Sequence, residues 1–292
     1  MAVFVAAVET GSLSAASRQL RMPLPTVSRK ISELESHIKT RLLLRSTRKL
    51  TLTEAGRNYL DACKRILQQV TEAERAAAGE YSAPTGELIV TAPIVFGRLH
   101  VLPVTAAFLK AYPDVQIRLV LGDRALNLQE DHIDLAIRIG ELPDSTMIAK
   151  RVGMIRSVAC ASPGYLAKRG TPKRPQDLIR HDCVSFTGLT SSDLWRFRSG
   201  GSELAVPIRS RLAVNTAEAA IDAAIAGVGV TRVLSYQVEQ PVASRQLRVI
   251  LKKFESEPIP VNLVHAGQRL LPLKLRAFLD FAAPRLRVAL ES

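Results

Sequence analysis

Cysteine is nearly absent from this 292-residue chain, and the three present, Cys63, Cys160 and Cys183, are odd in number and far apart. That excludes a disulfide framework and any paired-cysteine metal motif. Cys160 is open to two readings, a redox sensor or a buried inert thiol. The five histidines, His37, His100, His132, His181 and His265, are scattered, and no H-E-x-x-H spacing sets two ligands on one helix face. There is no Gly-x-Ser-x-Gly turn, no glycine-rich phosphate loop and no Cys–His pair in a known motif. Asp131 and Asp134 flank His132, but they read as a solvated turn before a strand. The expectation is therefore a protein that is not an enzyme, with no resident metal and no cofactor. No run approaches the about 18 apolar residues of a membrane span. The N-terminus carries Glu9 and polar residues where a signal peptide needs its apolar core. A cytoplasmic location is expected.

Acidic residues are also in short supply, 27 against 40 lysines and arginines, for a net charge of +13. The rest of the composition is that of a globular protein, 47% hydrophobic and 23% charged. The length suffices for a small domain beside a larger bilobed one. Residues 1–57 hold ten basic and four acidic side chains, a net +6, which leaves +7 on the remainder. Such an excess in a small module is the electrostatic footprint of nucleic-acid binding.

What is present in that module is a pair of short amphipathic segments. Leu13, Ala16 and Leu20 are spaced at helical intervals, and so are Val27, Ile31, Leu34 and Ile38. A break at Arg21–Pro25 separates them, so the spacing predicts a helix-turn-helix. On the second helix Pro25, Arg29, Ser32 and Ser36 point away from the apolar stripe. That face suits a major groove, with hydroxyls for phosphate and an arginine for a base edge or phosphate. Beyond it, Arg45, Arg48 and Lys49 precede the alternating Leu50-Thr51-Leu52-Thr53, a short strand of a basic wing.

The run ETGSLSAASRQL…PTVSRKISELE…RLLLRSTRKLTLTEAG resembles the N-terminal domain of LysR-type transcriptional regulators over about forty-five residues. The resemblance implies a winged helix-turn-helix with DNA contacts at Leu24, Pro25, Thr26, Ser28, Arg29 and Lys30, and a wing at Arg45, Arg48 and Lys49. The sequence departs from the family pattern in places. Leu13 replaces a common Phe. Lys39 stands where a Gly often ends the recognition helix, which predicts a less sharp end. Leu24 replaces a polar reader such as Gln. Leu24 and Pro25 suit either apolar contact to thymine methyls or a helix start set by proline. The family usually has several residues before the Val3-Phe4 pair, so the first helix is expected to be short or clipped.

Thr53 is a plausible N-cap for a long helix. Its apolar positions Tyr59, Cys63, Ile66, Val70, Ala73 and Ala77 are alternately four and three apart, a heptad seam. Two uses are open, a dimer seam or packing on its own domain. The resemblance implies a linker-helix homodimer, usually extended to a homotetramer.

Tyr81–Gly86 breaks this helix as a hinge. Strands at Glu87–Ala92, Val115–Leu121 and Ile133–Ile139 then alternate with helices at Phe96–Ala111 and Leu126–Glu130, an open α/β pattern. Further strands are expected at Arg156–Ala161, Cys183–Thr187, Trp195–Phe197 and Arg211–Val214, a hairpin loop at Ser199–Ser202, and helices after Ser162, at Ala217–Ala226 and at Leu271–Pro284. The phrases GELIVTAPIVFGRLHVLP, YPDVQIRLVLGD and DLAIRIGELPDS resemble the effector-binding domain of the same family. The expected architecture is thus an N-terminal all-α winged helix-turn-helix (1–53), a linker helix (54–80), and a two-lobed α/β effector domain similar to periplasmic binding proteins (87–292). Lobe I would span about 87–150 and 264–292, and lobe II about 151–257.

Ligands of open α/β sheets bind at strand C-terminal ends beside helix N-termini. That rule selects Pro93, Ile94, Val95, Phe96, Gly122, Asp123, Ser162, Asn215 and Thr216 as effector contacts. Polar groups are expected from Asn215 and Thr216, and apolar contact from Ile94, Val95 and Phe96. Each can equally finish a strand or cap a helix. The function expected is sequence-specific transcription regulation by a small-molecule effector, with promoter DNA and RNA polymerase as partners. A solute-binding module is the competing reading, and it leaves the basic wing unexplained.

Overall fold

The computed structural model describes residues 1–45, 50–77, 83–123, 128, 131–142, 147–186, 194–267 and 271–291. The chain divides into two compact units, Met1–Ala83 and Pro84–Ser292.

The first unit packs α1 (Ala2–Glu9), α2 (Leu13–Gln19) and α3 (Leu24–His37) against a β-ribbon of β1 (Leu43–Arg45) and β2 (Leu50–Leu52), followed by α4 (Glu54–Ala77). Its core gathers Phe4, Ala7, Ala16, Val27, Ile31, Leu42 and Cys63, all nearly inaccessible. β1 and β2 pair antiparallel, Leu43 opposite Leu52. Gly56 lies under this ribbon: a Cβ there would come within 2.1 Å of the Leu42 carbonyl oxygen, so no larger residue fits.

The second unit has two five-stranded sheets. In chain order its elements begin with β3 (Gly86–Ala92), a helical run of α5 (Ile94–Phe96), a π-turn (Gly97–Val101) and α6 (Leu102–Ala111), then β4 (Val115–Leu121), β5 (Leu135–Ile139) and β6 (Met147–Ile155). The chain continues with β7 (Ser157–Ala161), α7 (Pro163–Arg169), β8 (Asp182–Phe186), a hairpin of β9 (Leu194–Ser199) and β10 (Ser202–Pro207), and β11 (Arg209–Val214). It closes with α8 (Ala217–Ile225), β12 (Val230–Leu234), α9 (Glu239–Ala243), β13 (Arg248–Ile250), β14 (Ile259–Ala266) and α10 (Leu273–Glu291). Lobe I has the order β4-β3-β5-β14-β6 and lobe II the order β11-β8-β12-β7-β13. In each, parallel strands at one side meet antiparallel strands at the other.

Several expectations are corrected. Arg151, where sequence reading starts lobe II, lies inside β6, opposite Asn262 of β14. The first crossing comes later, at Arg156, and the return runs from Leu251 to Pro258. The last helix does not stop at Pro284 but continues to Glu291. Leu286, beyond the proline, is 1% exposed, and its burial holds the helix through the missing hydrogen bond. Its buried face carries Leu275, Phe278, Leu279 and Ala282, while Leu273 is exposed. Among the described residues Ile94–Ala111 is, after all, long and apolar enough to cross a membrane. It packs as the core helix of lobe I through Phe96, Val101, Val104 and Phe108. Of the helix expected at Leu126–Glu130 only Leu128 is among the described residues, as are Ala83–Gly86 but not Tyr81 and Ser82 of the hinge.

Candidate nucleic-acid interface and effector cleft

The helix-turn-helix is fixed by capping at each end. Ser12 caps α2, its oxygen accepting from the N–H groups of Ser14 and Ala15 at 3.2 and 3.4 Å. At the other end Met22 N–H bonds to the Ser17 carbonyl (3.0 Å) and Arg21 N–H to the Arg18 carbonyl (3.2 Å), a Schellman motif with Arg21 left-handed at φ 49°. The Ser17 hydroxyl donates to the Met22 carbonyl at 2.6 Å and closes the turn. α3 starts after Pro23, with Pro25 in its first turn, where a missing N–H breaks no helical bond.

The far end of α3 is sharp despite its lysine. Thr40 N–H reaches the Glu35 carbonyl (3.1 Å) and Lys39 N–H the Ser36 carbonyl (3.3 Å). Lys39 takes the left-handed position at φ 52°. The loosened end expected from the absent glycine is therefore not found: the two terminal hydrogen bonds outweigh the backbone strain.

On α3, Leu24, Pro25, Arg29 and Lys30 are exposed, and Thr26 and Ser28 are half-buried beside the inward-facing Val27. Arg29 forms an exposed pair with Glu33 at 3.6 Å. Sequence reading missed Glu35. Its carboxylate accepts the N–H groups of Leu42 and Leu43 at 2.8 and 3.0 Å and ties the ribbon to the helix. A carboxylate on the apolar-flanking face of α3 was the only available signal. Arg45 ends β1, opposite Leu50; Arg48 and Lys49, and the side chain of Arg45, lie outside the described residues. Thr53 caps α4, accepting from Gly56 N–H at 2.9 Å.

The heptad seam on α4 divides. Tyr59 packs on Phe4 with ring centroids 5.7 Å apart, and Cys63 is fully buried in the core of its own unit. Cys63 is thus enclosed by its own unit, while Tyr59 is only partly buried. Burial pushes the Cys63 thiol pKa up. Ile66 and Val70 are 43% and 46% exposed, one helical turn apart. The Ala73 side chain lies outside the described residues.

In the second unit most of the nine expected effector contacts are engaged in the unit's own packing and capping. Val95 and Phe96 are core residues, 4% and 0% exposed, and Phe96 meets Tyr236 of lobe II edge to face at 5.4 Å. Asp123 accepts from Ile94 N–H at 3.1 Å, so this chain's own carboxylate occupies that helix start. Gly122 N–H bonds to Ala92. Ser162 caps α7 through Tyr165 N–H (3.4 Å), and Thr216 caps α8 through Ala219 N–H (3.3 Å). Pro93 is half-buried and Asn215 exposed. Capping, one of the two readings left open, accounts for Ser162 and Thr216.

The second unit also holds a cavity of about 560 Å³ at the strand ends of both lobes. Ile139, Gly140 and Ile259 come from lobe I, and Phe186, Val233 and Leu234 from lobe II. The β9–β10 hairpin adds Trp195 and Phe197, and β12 adds Arg232. None of the nine expected residues lines it. Its volume falls within the range of small-molecule sites. Cys160 and Cys183 are buried in lobe II, their pKa values pushed up to about 12. That environment fits the inert-thiol reading of Cys160. No group of three or more potential metal ligands occurs among the described residues.

A family model described as "Bacterial regulatory helix-turn-helix protein, lysR family" matches residues 1–57, and one described as "LysR substrate binding domain" matches residues 82–287. An "HTH-type transcriptional regulator" of Xanthomonas campestris pv. campestris is 35% identical over 288 residues, covering 97% of this chain and 84% of that protein. The solved structure of CrgA from Neisseria meningitidis, a LysR-type transcriptional regulator, is similar with TM-score 0.64 and 33% identity, covering 98% and 97% of the two chains. The full-length Vibrio cholerae virulence activator AphB is similar with TM-score 0.62 and 27% identity, covering 96% of each chain.

Proposed function

The chain belongs to the LysR family of transcriptional regulators, and on that footing we propose that α3 reads the major groove of promoter DNA while a small molecule in the interlobe cavity controls the outcome. The family consists of DNA-binding, effector-responsive regulators that form oligomers, not of enzymes. In this reading residues 1–53 bind DNA, 54–80 pair subunits, and 87–292 hold the effector. The protein works in the cytoplasm, with RNA polymerase as the partner that its binding helps or hinders.

The observation that carries the DNA reading is the exposed N-terminal face of α3, held between two Schellman turns and a ribbon anchored by Glu35. Leu24 and Pro25 offer apolar contact, Thr26 and Ser28 hydroxyls, and Arg29 and Lys30 charge; Arg45, Arg48 and Lys49 track the backbone from the wing. The Arg29–Glu33 pair is exposed, so exchanging it for DNA costs only about 0.5 kcal/mol. Ile66 and Val70 supply an apolar strip for a second copy, and two α3 helices would then read successive major grooves. An effector shifts this assembly only by its difference in affinity between two arrangements. Arg156 and the Leu251–Pro258 segment are the crossings about which the lobes can change their angle.

A footprint on DNA upstream of the protein's own gene tests the reading. Two protected half-sites, about one helical turn or a multiple apart, are expected. Absence of any protected site, with the protein folded, removes the regulator role proposed for α3.

A further inference from the structure

The interlobe cavity holds one charge that its own walls do not answer. Five charged side chains line it: Arg196, Arg198, Glu203, Arg232 and Glu257. Four pair off, Arg196 with Glu203 and Arg198 with Glu257. Arg232 is left, half-buried on β12. Its guanidinium donates to the Ser256 hydroxyl at 3.1 Å and lies 5.4 Å from the centre of the Phe197 ring. That hydroxyl in turn donates to the Arg196 carbonyl. Among the described residues no carboxylate lies within ion-pair distance of Arg232. Burial pushes its pKa down to about 10, so the surroundings disfavour the charge without removing it near neutral pH.

A guanidinium has five N–H donors in a planar fork, and one hydrogen bond leaves most of them open. Beside the paired charges the wall is mostly apolar, with Phe186, Trp195, Phe197, Ile139, Val233 and Leu234, and its neutral polar groups are Ser157, Gln237 and Ser256. A half-buried cation with no carboxylate partner gains from one, and a fork of this shape matches a carboxylate in two parallel hydrogen bonds. We propose that the ligand of this cavity is a small monoanion, a carboxylate carried on an apolar body, and that Arg232 is the residue that selects it. The proposal rests on the reading of the cavity as the effector site. A cationic ligand would add a second unanswered positive charge. A neutral one would leave Arg232 desolvated and unmatched. A dianion would bring one negative charge more than the wall can answer.

Trp195 is the chain's single tryptophan and lines the cavity, so its emission reports occupancy. The full-length protein is titrated at fixed ionic strength with sodium benzoate and sodium hexanoate. Benzamide and hexanamide serve as uncharged partners of the same shape. Each carboxylate is expected to bind at least roughly tenfold more tightly than its amide, the range of a charged hydrogen-bonded contact. Arg232→Gln removes the difference, and Arg232→Lys keeps part of it. Should Arg232→Gln unfold, the acid–amide comparison in the native chain still decides. Equal binding of acid and amide, or a preference that survives Arg232→Gln, overturns the anion assignment and leaves the cavity a ligand site. No change in Trp195 emission with any of the four overturns both the assignment and the reading of this cavity as a ligand site.

Discussion

The Glu35 carboxylate of the recognition helix accepts the backbone N–H of Leu42 at 2.8 Å and that of Leu43 at 3.0 Å. One side chain thereby sets the position of the wing relative to the helix. Glu35→Ala is expected to destabilise the N-terminal unit by about 2 kcal/mol, the size of a lost pair of hydrogen bonds to a charged group. DNA affinity should fall as well, because the ribbon loses its anchor to α3. Chemical denaturation and DNA titration of the variant check both. Unchanged stability would show that the ribbon holds its place without Glu35.

Lys39 occupies a left-handed backbone position that a side chain disfavours by about 1–2 kcal/mol. Lys39→Gly should therefore stabilise the unit by about 0.5–1 kcal/mol after the greater chain entropy of glycine is subtracted. Lys39→Ala keeps the strain and removes the charge. If alanine and glycine behave alike in urea unfolding, charge and not backbone geometry governs the site.

The α4 seam gives opposite outcomes at its two ends. Ile66→Asp and Val70→Asp should weaken self-association, measured by sedimentation, with little loss of fold stability, because both side chains are more than 40% exposed. Cys63→Ala should cost about 1 kcal/mol of stability and leave association unchanged, because Cys63 belongs to the unit's own core. Association that depends on Cys63 and not on Val70 would reverse this division.

Cys160 and Cys183, with pKa values pushed up to about 12 by burial, carry almost no thiolate at neutral or mildly alkaline pH. Native protein should react with a thiol reagent at neither, and all three cysteines should react once it is unfolded. Modification of either lobe II thiol in native protein, read by mass spectrometry, would contradict the inert assignment.

How far the sequence discloses this depends on whether a feature is local. The helix-turn-helix is legible because Leu13, Ala16, Val27 and Ile31 repeat at helical spacing and the opposing face is polar. The heptad on α4 is legible too, but periodicity names an apolar face and not what buries it, and the burial of Cys63 in its own unit is not written in the spacing. The helix end at Lys39 turned on two backbone hydrogen bonds that no side-chain pattern displays. The α10 helix passes Pro284 because tertiary burial of Leu286 overrides a local rule. The cleft was the least legible part. Its wall joins Gly140, Phe186, Arg232 and Ile259, residues distant in sequence, to a hairpin with no motif of its own, whereas the loop residues favoured by the strand-end rule are occupied with capping α7 and α8 and with the Asp123–Ile94 contact.

The central claim is that α3 reads bases and the wing holds phosphate. It is tested most directly by comparing the chain with its Arg29→Ala variant on specific and unrelated DNA across a salt series. The native chain should lose affinity linearly in the logarithm of salt, with a slope near −0.9 for each phosphate neutralised. Arg29→Ala should lose about 1–3 kcal/mol on the specific site and much less on unrelated DNA, with relaxed preference at one base step. Equal losses on both DNAs, accompanied by a slope smaller by about one, would make Arg29 a phosphate contact and contradict base reading by this face of α3.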